Sequence, residues 1–352
     1  MEGVSSHYDH VSNRHVMGQQ VLTLGLATED AFLPLDSQIF VSKTKAKGLN
    51  KSYQSGRSVA AKRYLEATTQ SKPEMTLGMI KRAKRKGIEA DYFSGDAWFG
   101  TKIMVKNSLT ANLDAVLRMK KNKLKYALTV KGKKKLVNAD ELYTLLVKRK
   151  WRKVKGLPWK AVELEVELDL SNDKKSPEWQ KVKLLFVRGL NDPENPEASQ
   201  KSWALFLCTD LNLSMCKILE IYSLRWGIEV YFKEAKQHLG FLKEQTTAFA
   251  SHIASIHLCA IRYLMLVQAK HDGLATSIGD GRSHIQNQLD ALTFAGALWQ
   301  IFRSIISDSL NELTEKLGNV KEVIMETIDI KIHEFFEKSL QLDAFTLELE
   351  HQ

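Results

Sequence analysis

The stretch that decides the fold is IEADYFSGDAWFGTKIMVKNSLTANLDAVLRMKKN, residues 88–122. It begins with a short run of strand-forming residues that ends near Asp96, continues through the helix-forming TKIMVKNSL and finishes in a second apolar run. A strand, a helix and a strand in this order predict an α/β core. Because Asp96 follows the first strand, we expect the active site at that edge of the sheet.

The segments before this stretch extend the predicted core. Residues 19–41, QQVLTLGLATEDAFLPLDSQIFV, contain two apolar runs separated by a polar turn, which predicts an antiparallel hairpin. Residues 55–87 are rich in helix formers and end in a basic turn before Gly87, which predicts one long helix.

The segments after it change in character. Alternation of apolar and polar residues indicates a β-rich insertion, and the chain is predominantly helical from Ser214 onward. We predict four parts: 1–119, the first part of the catalytic core; 120–212, the insertion; 213–270, core helices; and 271–352, a helical C-terminal region.

Composition narrows the class of protein. Lys and Arg number 51 against 41 Asp and Glu, the net charge is +10 and the pI is about 9.2. A basic protein of this kind binds a polyanion such as nucleic acid, or it has a solvated lysine-rich surface. Three cysteines without a CxxC pair predict reduced thiols, and the absence of a signal peptide or a long apolar segment predicts a soluble, cytoplasmic protein without a membrane partner.

The most informative helix pattern is IYSLRWGIEVYFKEAKQHLG, residues 221–240. At about 100° per residue, Tyr222, Arg225, Glu229 and Lys236 fall within about 60° of one another. Ile221, Leu224, Ile228, Ala235 and Leu239 form a separate face that we expect to pack on the core.

Two interpretations of the polar stripe are open. A carboxylate flanked by Arg and Lys and accompanied by a phenol is suited to holding a metal ion and a phosphate. The alternative is an amphipathic helix with ion pairs one turn apart, such as Arg225 with Glu229.

The pattern Y-x2-R-x3-E-x6-K, together with Trp226, resembles the catalytic helix of bacterial insertion-sequence transposases of the insertion-sequence-4 family. GQQVLTLGLATEDAFLPLD (18–36) resembles the second and third strands of that family, and ADYFSGDAWFG (90–100) resembles its second-Asp motif. The three motifs occur in the family's order. The resemblance implies an α/β fold, namely an RNase H-like mixed-sheet core with a β-rich insertion and a helical C-terminal region.

The resemblance also implies a reaction. Such DDE transposases cleave and join DNA by phosphoryl transfer, and two Mg²⁺ (or Mn²⁺) ions would activate the attacking oxygen and stabilise the leaving one. Asp96 and Glu229 are the expected catalytic, metal-binding carboxylates. Tyr222, Arg225 and Lys236 would contact phosphates, and Trp98 and Trp226 would stack on an extruded base or be core residues.

The expected partner is double-stranded DNA, both the transposon ends and the target, bound by a homodimer of the protein in association with the nucleoid. Lys133–Lys135 and Lys148–Lys150 would contact the DNA backbone or would be solvated surface.

The first Asp of the DDE site is not evident. Asp9 lies in a segment without the apolar run of a central strand, and Asp36 belongs by resemblance to the third strand. We expect the first strand to lie upstream of Met1 or to be lost, so that the chain alone is catalytically silent. Two other functions remain open: an inactive, truncated transposase that only binds DNA or the full-length enzyme, and an unrelated basic metal-dependent nuclease.

Overall fold

Strands form where apolar and β-branched residues alternate with polar ones. The computed structural model describes residues 1–352 except 1, 3, 10–12, 48–52, 54, 131, 174, 190–201, 314–319 and 341–352. The strands are β1 (Ser5–Asp9), β2 (Arg14–Gly18), β3 (Gln20–Ala27), β4 (Phe32–Phe40), β5 (Tyr92–Gly95), β6 (Asp114–Met119), β7 (Lys125–Val130), β8 (Lys133–Asn138), β9 (Arg152–Lys153), β10 (Trp159–Asp169), β11 (Trp179–Gly189) and β12 (Trp203–Cys208).

The helices that precede the β-rich region are short, and those near the C-terminal end are long. They are α1 (Lys43–Ala46), α2 (Val59–Thr69), α3 (Lys72–Arg85), α4 (Lys102–Thr110), α5 (Ala139–Val147), α6 (Met215–Leu224), α7 (Trp226–His238), α8 (Phe249–His271), α9 (Ile278–Leu313) and α10 (Val320–Leu340).

An eight-stranded sheet organises the first part of the chain. Seven strands follow the order β5-β6-β12-β11-β10-β7-β8, and β9 pairs with β10. The pair β5 and β6 is parallel and is connected through α4, while the other neighbours along this path are antiparallel. The predicted strand–helix–strand unit and the mixed α/β content are therefore confirmed. The strands of the predicted insertion continue the same sheet, because β12 pairs directly with β6.

The predicted hairpin of residues 19–41 is confirmed as β3 and β4, which pair in antiparallel register from Gln20↔Phe40 to Ala27↔Phe32. The hairpin forms a separate two-stranded sheet. Within the described residues, β3 pairs only with β4, and β5 pairs only with β6. Each of these two strands therefore presents one unpaired edge, where backbone N–H and C=O groups can accept a further strand.

Two cores cover opposite faces of the eight-stranded sheet. Successive residues on a strand point to opposite faces, so Leu117 and Leu207 lie in one core while Val116 and Phe206 lie in the other. Helices α4 and α5 contribute to the first core, and α6 contributes to the second. The segment that carries Glu229 thus follows directly from a helix packed on the second face.

The prediction of a single long helix over residues 55–87 is wrong in one respect. It is interrupted at Gln70 and Ser71, giving α2 and α3. Ser71 and Glu74 form a capping box at the start of α3, and Pro73 occupies its first turn, where a missing N–H costs little. The predicted glycine stop is confirmed, since Gly87 has a φ of 81°. Helix α5, which begins at a second capping box between Asn138 and Glu141, was not predicted.

The chain divides into two compact units, Met1–Leu264 and Met265–Gln352. In the second unit, an ion pair between Arg303 and Asp329 joins α9 and α10 at 3.1 Å. Helix α9 exposes many apolar side chains, among them Leu289, Phe294, Leu298, Ile301, Phe302 and Ile305. By length and composition alone, α8 and the range 278–307 are apolar enough to cross a bilayer, so the expectation of a protein without a membrane partner stays a prediction.

Candidate active site

Asp96 begins the turn that directly follows β5, at the edge of the sheet where a site was predicted. Its Oδ1 accepts a hydrogen bond from the Trp98 backbone N–H at 2.8 Å, and its carbonyl oxygen accepts one from the Phe99 N–H at 3.0 Å. The side chain is exposed, and Oδ2 has no hydrogen bond within the described residues. The turn therefore fixes the carboxylate and leaves one oxygen available to a ligand.

Close packing of the turn requires glycine on both sides of Asp96. A Cβ on Gly100 would lie 2.2 Å from the carbonyl oxygen of Arg118, and one on Gly95 would lie 2.9 Å from the Phe99 Cβ. Backbone atoms of β6 cannot yield as a flexible side chain does. The spacing G-D-A-W-F-G thus has a steric cause that is independent of any chemistry at Asp96.

Lys72, the first residue of α3, belongs to this site, although no sequence motif indicated it. Its Nζ lies 4.4 Å from the ring centroid of Trp98 and 4.7 Å from that of Phe40. Burial lowers the pKa of the Lys72 ammonium below its usual value, and the nearby Asp96 carboxylate partly offsets this effect. Trp98 is 41% exposed, so part of its ring remains open to solvent beside a cation and a carboxylate.

The predicted helix over residues 221–240 is interrupted at Arg225, where α6 ends and α7 begins. Around this residue two backbone hydrogen bonds span three residues instead of the four of an α-helix. Arg225 N–H donates to the Tyr222 carbonyl, and Ile228 N–H donates to the Arg225 carbonyl. A Cβ on Gly227 would lie 2.8 Å from the Cβ of Phe32, so the start of α7 packs closely on β4.

The apolar face predicted for this segment is confirmed in part. Ala235 and Leu239 are buried, whereas Ile221, Leu224 and Ile228 are only half-buried. The largest buried side chain of α7 is Tyr231, which was absent from the predicted face and packs against Phe32 at 5.9 Å.

Three residues of the predicted stripe form one connected group. Arg225 Nη2 donates to Glu229 Oε1 at 2.7 Å, and the Arg225 guanidinium lies 5.4 Å from the Tyr222 ring centroid. Burial acts to lower the pKa of Arg225, but the hydrogen bond to Glu229 and the proximity of Tyr222 raise it overall. The Tyr222 ring packs edge-on against Phe206 at 4.7 Å. The ion pair of the alternative interpretation is therefore present.

The remaining predicted residues lie apart from this group. Lys236 is exposed in the last turn of α7, with its Nζ 5.8 Å from the Phe232 ring centroid. Trp226 is 62% exposed at the start of the same helix, which is the exposure that a base-stacking side chain needs.

Asp96 and Glu229 are not in contact with each other through any described interaction. Strand pairing relates them only indirectly. Gly95, next to Asp96, pairs with Leu117 on β6, and Leu117 pairs with Leu207 on β12. Phe206, next to Leu207, packs against the Tyr222 ring. Within the described residues, no three His, Cys, Asp or Glu side chains gather to hold a metal ion. The carboxylate oxygens are the correct donors for Mg²⁺, but two carboxylates, one already paired with Arg225, make an incomplete ligand set.

Asp36 is not available as a third ligand. Its Oδ1 accepts from Arg63 Nη2 at 2.6 Å, its Oδ2 accepts from Arg82 Nε at 2.8 Å, and the carboxylate is 9% exposed. Burial alone would raise the pKa of Asp36, but His257, Arg63 and Arg82 outweigh it and lower the pKa to about 2. Arg63 and Arg82 also pair with Glu66, at 3.5 Å and 2.9 Å. Both Asp36 oxygens are thus occupied within a structural network of two guanidinium and two carboxylate groups.

Comparison with known proteins supports part of the predicted identity. The sequence profile of a family described as DDE superfamily endonuclease matches residues 1–134. The matched segment contains β3 to β6 and Asp96, and it ends before Glu229. This match supports a DDE transposase-like family, an enzyme of the nuclease type and a DNA substrate. No curated protein matches the chain.

Proposed function

We propose that this chain is a DDE transposase subunit of the insertion-sequence-4 family, which binds the ends of an insertion sequence and takes part in their cleavage and strand transfer. The observation that carries the proposal is the position of Asp96, at the C-terminal end of β5 and inside the segment that matches DDE endonucleases. The core would be RNase H-like, with Glu229 supplied by the helix that follows the insertion.

The residues around the two carboxylates have separate tasks in this proposal. Arg225 would bind a phosphate next to the scissile bond by exchanging Glu229 for the phosphate oxygens, since a guanidinium suits either partner. The Tyr222 ring, which lies beside the guanidinium, would keep it in position. Lys72, Trp98 and Asp96 would form a second contact area, where the exposed Trp98 ring can stack on an unpaired base.

Divalent metal ions, Mg²⁺ or Mn²⁺, would be held by Asp96 and Glu229 and would supply charge stabilisation for phosphoryl transfer. The free Oδ2 of Asp96 supports this role. A third carboxylate would complete the ligand set, and the unpaired edges of β3 and β5 are positions where a further strand that carries it would fit.

We also propose the partner, the location and the assembly of the protein. Double-stranded DNA is the partner, the protein acts in the cytoplasm at the nucleoid, and no membrane takes part. Two copies would assemble on the DNA, and the exposed apolar side chains of α9 favour such an assembly because they lose water-exposed area on pairing.

A second candidate function is favoured by a specific observation. Glu229 is paired with Arg225, and within the described residues no three His, Cys, Asp or Glu side chains gather. A chain of this kind that binds transposon ends without cutting them would interfere with a complete transposase.

One experiment separates these functions. The purified chain is mixed with duplexes that carry the ends of the genomic element around its reading frame, and binding and nicking are measured with and without Mg²⁺. End-specific nicking that Asp96→Asn removes supports the transposase. End-specific binding without nicking supports the second candidate. Sequence-blind degradation, or no binding to DNA, contradicts both.

A further inference from the structure

A basic pocket lies in the β-rich region, and its lining includes neither Asp96 nor Glu229. It has a volume of about 280 Å³ and lies between the segment that enters β9, the first half of β10 and the first residue of α6. The residues around it are Arg149, Lys150, Arg152, Ala161, Val162, Glu163 and Met215. The volume is just below the ~300–1,000 Å³ typical of small-molecule sites. The lining combines three cations and one carboxylate with three apolar residues.

Local packing turns the cations of this pocket outward. Trp151 is buried, its indole N–H donates to the Leu146 carbonyl at 3.0 Å, and its ring packs on Tyr143. Because neighbouring residues of an extended segment point to opposite sides, Lys150 and Arg152 project away from the core on the same side. The buried Trp151 therefore fixes the backbone that carries these two positive side chains.

The positive charge of the pocket is not neutralised within the described part of the chain. Arg149, Lys150 and Arg152 are exposed and take part in no ion pair there. The one acid, Glu163, lies 4.0 Å from the Nζ of the buried Lys183, which also donates to the Leu213 carbonyl at 2.6 Å. Glu163 is thus compensated from inside the fold, and the three outer cations are left for an external anion.

The lysine run Lys133–Lys135 has a structural explanation, which the pocket cations Arg149, Lys150 and Arg152 lack. Lys133–Lys135 lie on β8 at the edge of the sheet, where lysines prevent pairing with other chains. Lys134 forms an ion pair with Glu167 at 2.6 Å and lies over the Trp179 ring. The structure therefore distinguishes two runs that are equivalent in the sequence.

We propose that the pocket formed by Arg149, Lys150 and Arg152 binds a backbone phosphate of double-stranded DNA away from the cleaved bond. Guanidinium groups match the geometry of a phosphodiester, and Met215, the first residue of α6, brings the positive end of the helix dipole to the rim. Contacts of this kind fix the position of the duplex without reading its sequence. The inference rests on the proposed DNA substrate and adds a binding site to it.

The test compares duplex binding by the full chain and by two charge-matched variants at several salt concentrations, without metal. Arg149→Gln with Arg152→Gln is expected to weaken binding on the order of tenfold and to lower the slope of log affinity against log salt by about two. Lys133→Gln with Lys135→Gln is expected to leave the slope nearly unchanged. Circular dichroism verifies that both variants are folded.

Other outcomes overturn specific parts of the inference. Equal losses in the two variants would mean that the pocket is only part of a diffuse basic surface. Equal affinity of the unaltered chain for double-stranded RNA of the same length would contradict the commitment to DNA. Loss of inorganic phosphate binding in the pocket variant with unchanged DNA affinity would assign the pocket to a free anion. If the unaltered chain bound no duplex at all, the proposed function itself would fail.

Discussion

Arg225 and Glu229 lie one turn apart at the start of α7, and their Nη2 and Oε1 atoms are 2.7 Å apart. The Glu229 side chain is 42% exposed, so solvent screens the pair. An exposed pair of this spacing contributes roughly 0.3–0.5 kcal/mol, and Arg before Glu is the less favourable order. The pair is therefore weak enough to open for a stronger partner, so its presence does not exclude the phosphate- and metal-binding interpretation of the stripe.

Glu229→Gln is expected to change the free energy of unfolding by less than about 0.5 kcal/mol. In the absence of metal it should increase affinity for duplex DNA severalfold, because it releases Arg225 to bind phosphate. Arg225→Gln should weaken DNA binding instead. Urea denaturation and fluorescence anisotropy with labelled duplex measure the two effects.

Glu220→Gln provides the matched control, since it removes the same charge from the exposed pair that Glu220 forms with Lys217 at 3.2 Å. It should raise DNA affinity less than Glu229→Gln. Equal gains would show that only net charge matters and that Arg225 has no particular role.

Asp36→Asn is expected to destabilise the chain by about 2–4 kcal/mol, because it leaves Arg63 and Arg82 without their buried carboxylate. Denaturant unfolding measures the loss. Glu178→Gln is the control: its pair with Lys106 has the same 2.6 Å distance but is exposed, so it should cost less than about 1 kcal/mol. Comparable losses would contradict the structural role assigned to the Asp36 network.

The same network predicts how stability depends on pH. Folding lowers the pKa of Asp36 from 3.8 to about 2, so the folded chain favours the ionised carboxylate. Its contribution, roughly 2 kcal/mol, is complete above about pH 4 and disappears as the pH falls toward 2. Acid unfolding of Asp36→Asn should therefore be less steep over this interval than that of the unaltered chain. Parallel curves would contradict the pKa assigned to Asp36.

Local patterns predicted much of the fold. The order of strand, carboxylate, helix and strand around Asp96 is readable because each element is set by a few neighbouring residues. The break before α3 was also readable, since Ser71, Pro73 and Glu74 are a helix start signal that the longer run of helix formers obscured. The interruption at Arg225 depends on the packing of Gly227 against Phe32, which no local pattern contains.

The candidate site was less predictable than the fold because its members come from distant segments. Lys72 reaches Trp98 only through the packing of α3, and Asp36 meets Arg63 and Arg82 only when the hairpin meets two helices. Likewise, the runs Lys133–Lys135 and Lys148–Lys150 are equivalent in the sequence, and only the fold pairs Lys134 with Glu167. Residue type and spacing identify Asp96 and Glu229 as candidates, and tertiary contacts decide which neighbours complete the site.

Gly100→Ala is expected to destabilise the chain by about 1–3 kcal/mol, because the added Cβ would overlap the carbonyl oxygen of Arg118. It should also move the Asp96 turn and weaken any metal binding there. Gly18→Ala is the control, since no atom lies within 4 Å of the added Cβ. Thermal unfolding compares the two variants. A stability of Gly100→Ala equal to that of Gly18→Ala would mean that the turn is not held against β6.

Catalysis by the chain as it is depends on how many carboxylates the site supplies. We expect it to bind duplexes with transposon ends but not to nick them in Mg²⁺ or Mn²⁺, because phosphoryl transfer by two metal ions needs more carboxylates than Asp96 and Glu229 supply. Asp36 cannot substitute while Arg63 and Arg82 occupy both of its oxygens. Gel assays on supercoiled and linear DNA measure nicking. Metal-dependent nicking that Asp36→Asn removes, in a variant shown to be folded, would identify Asp36 as the missing ligand and disprove this account.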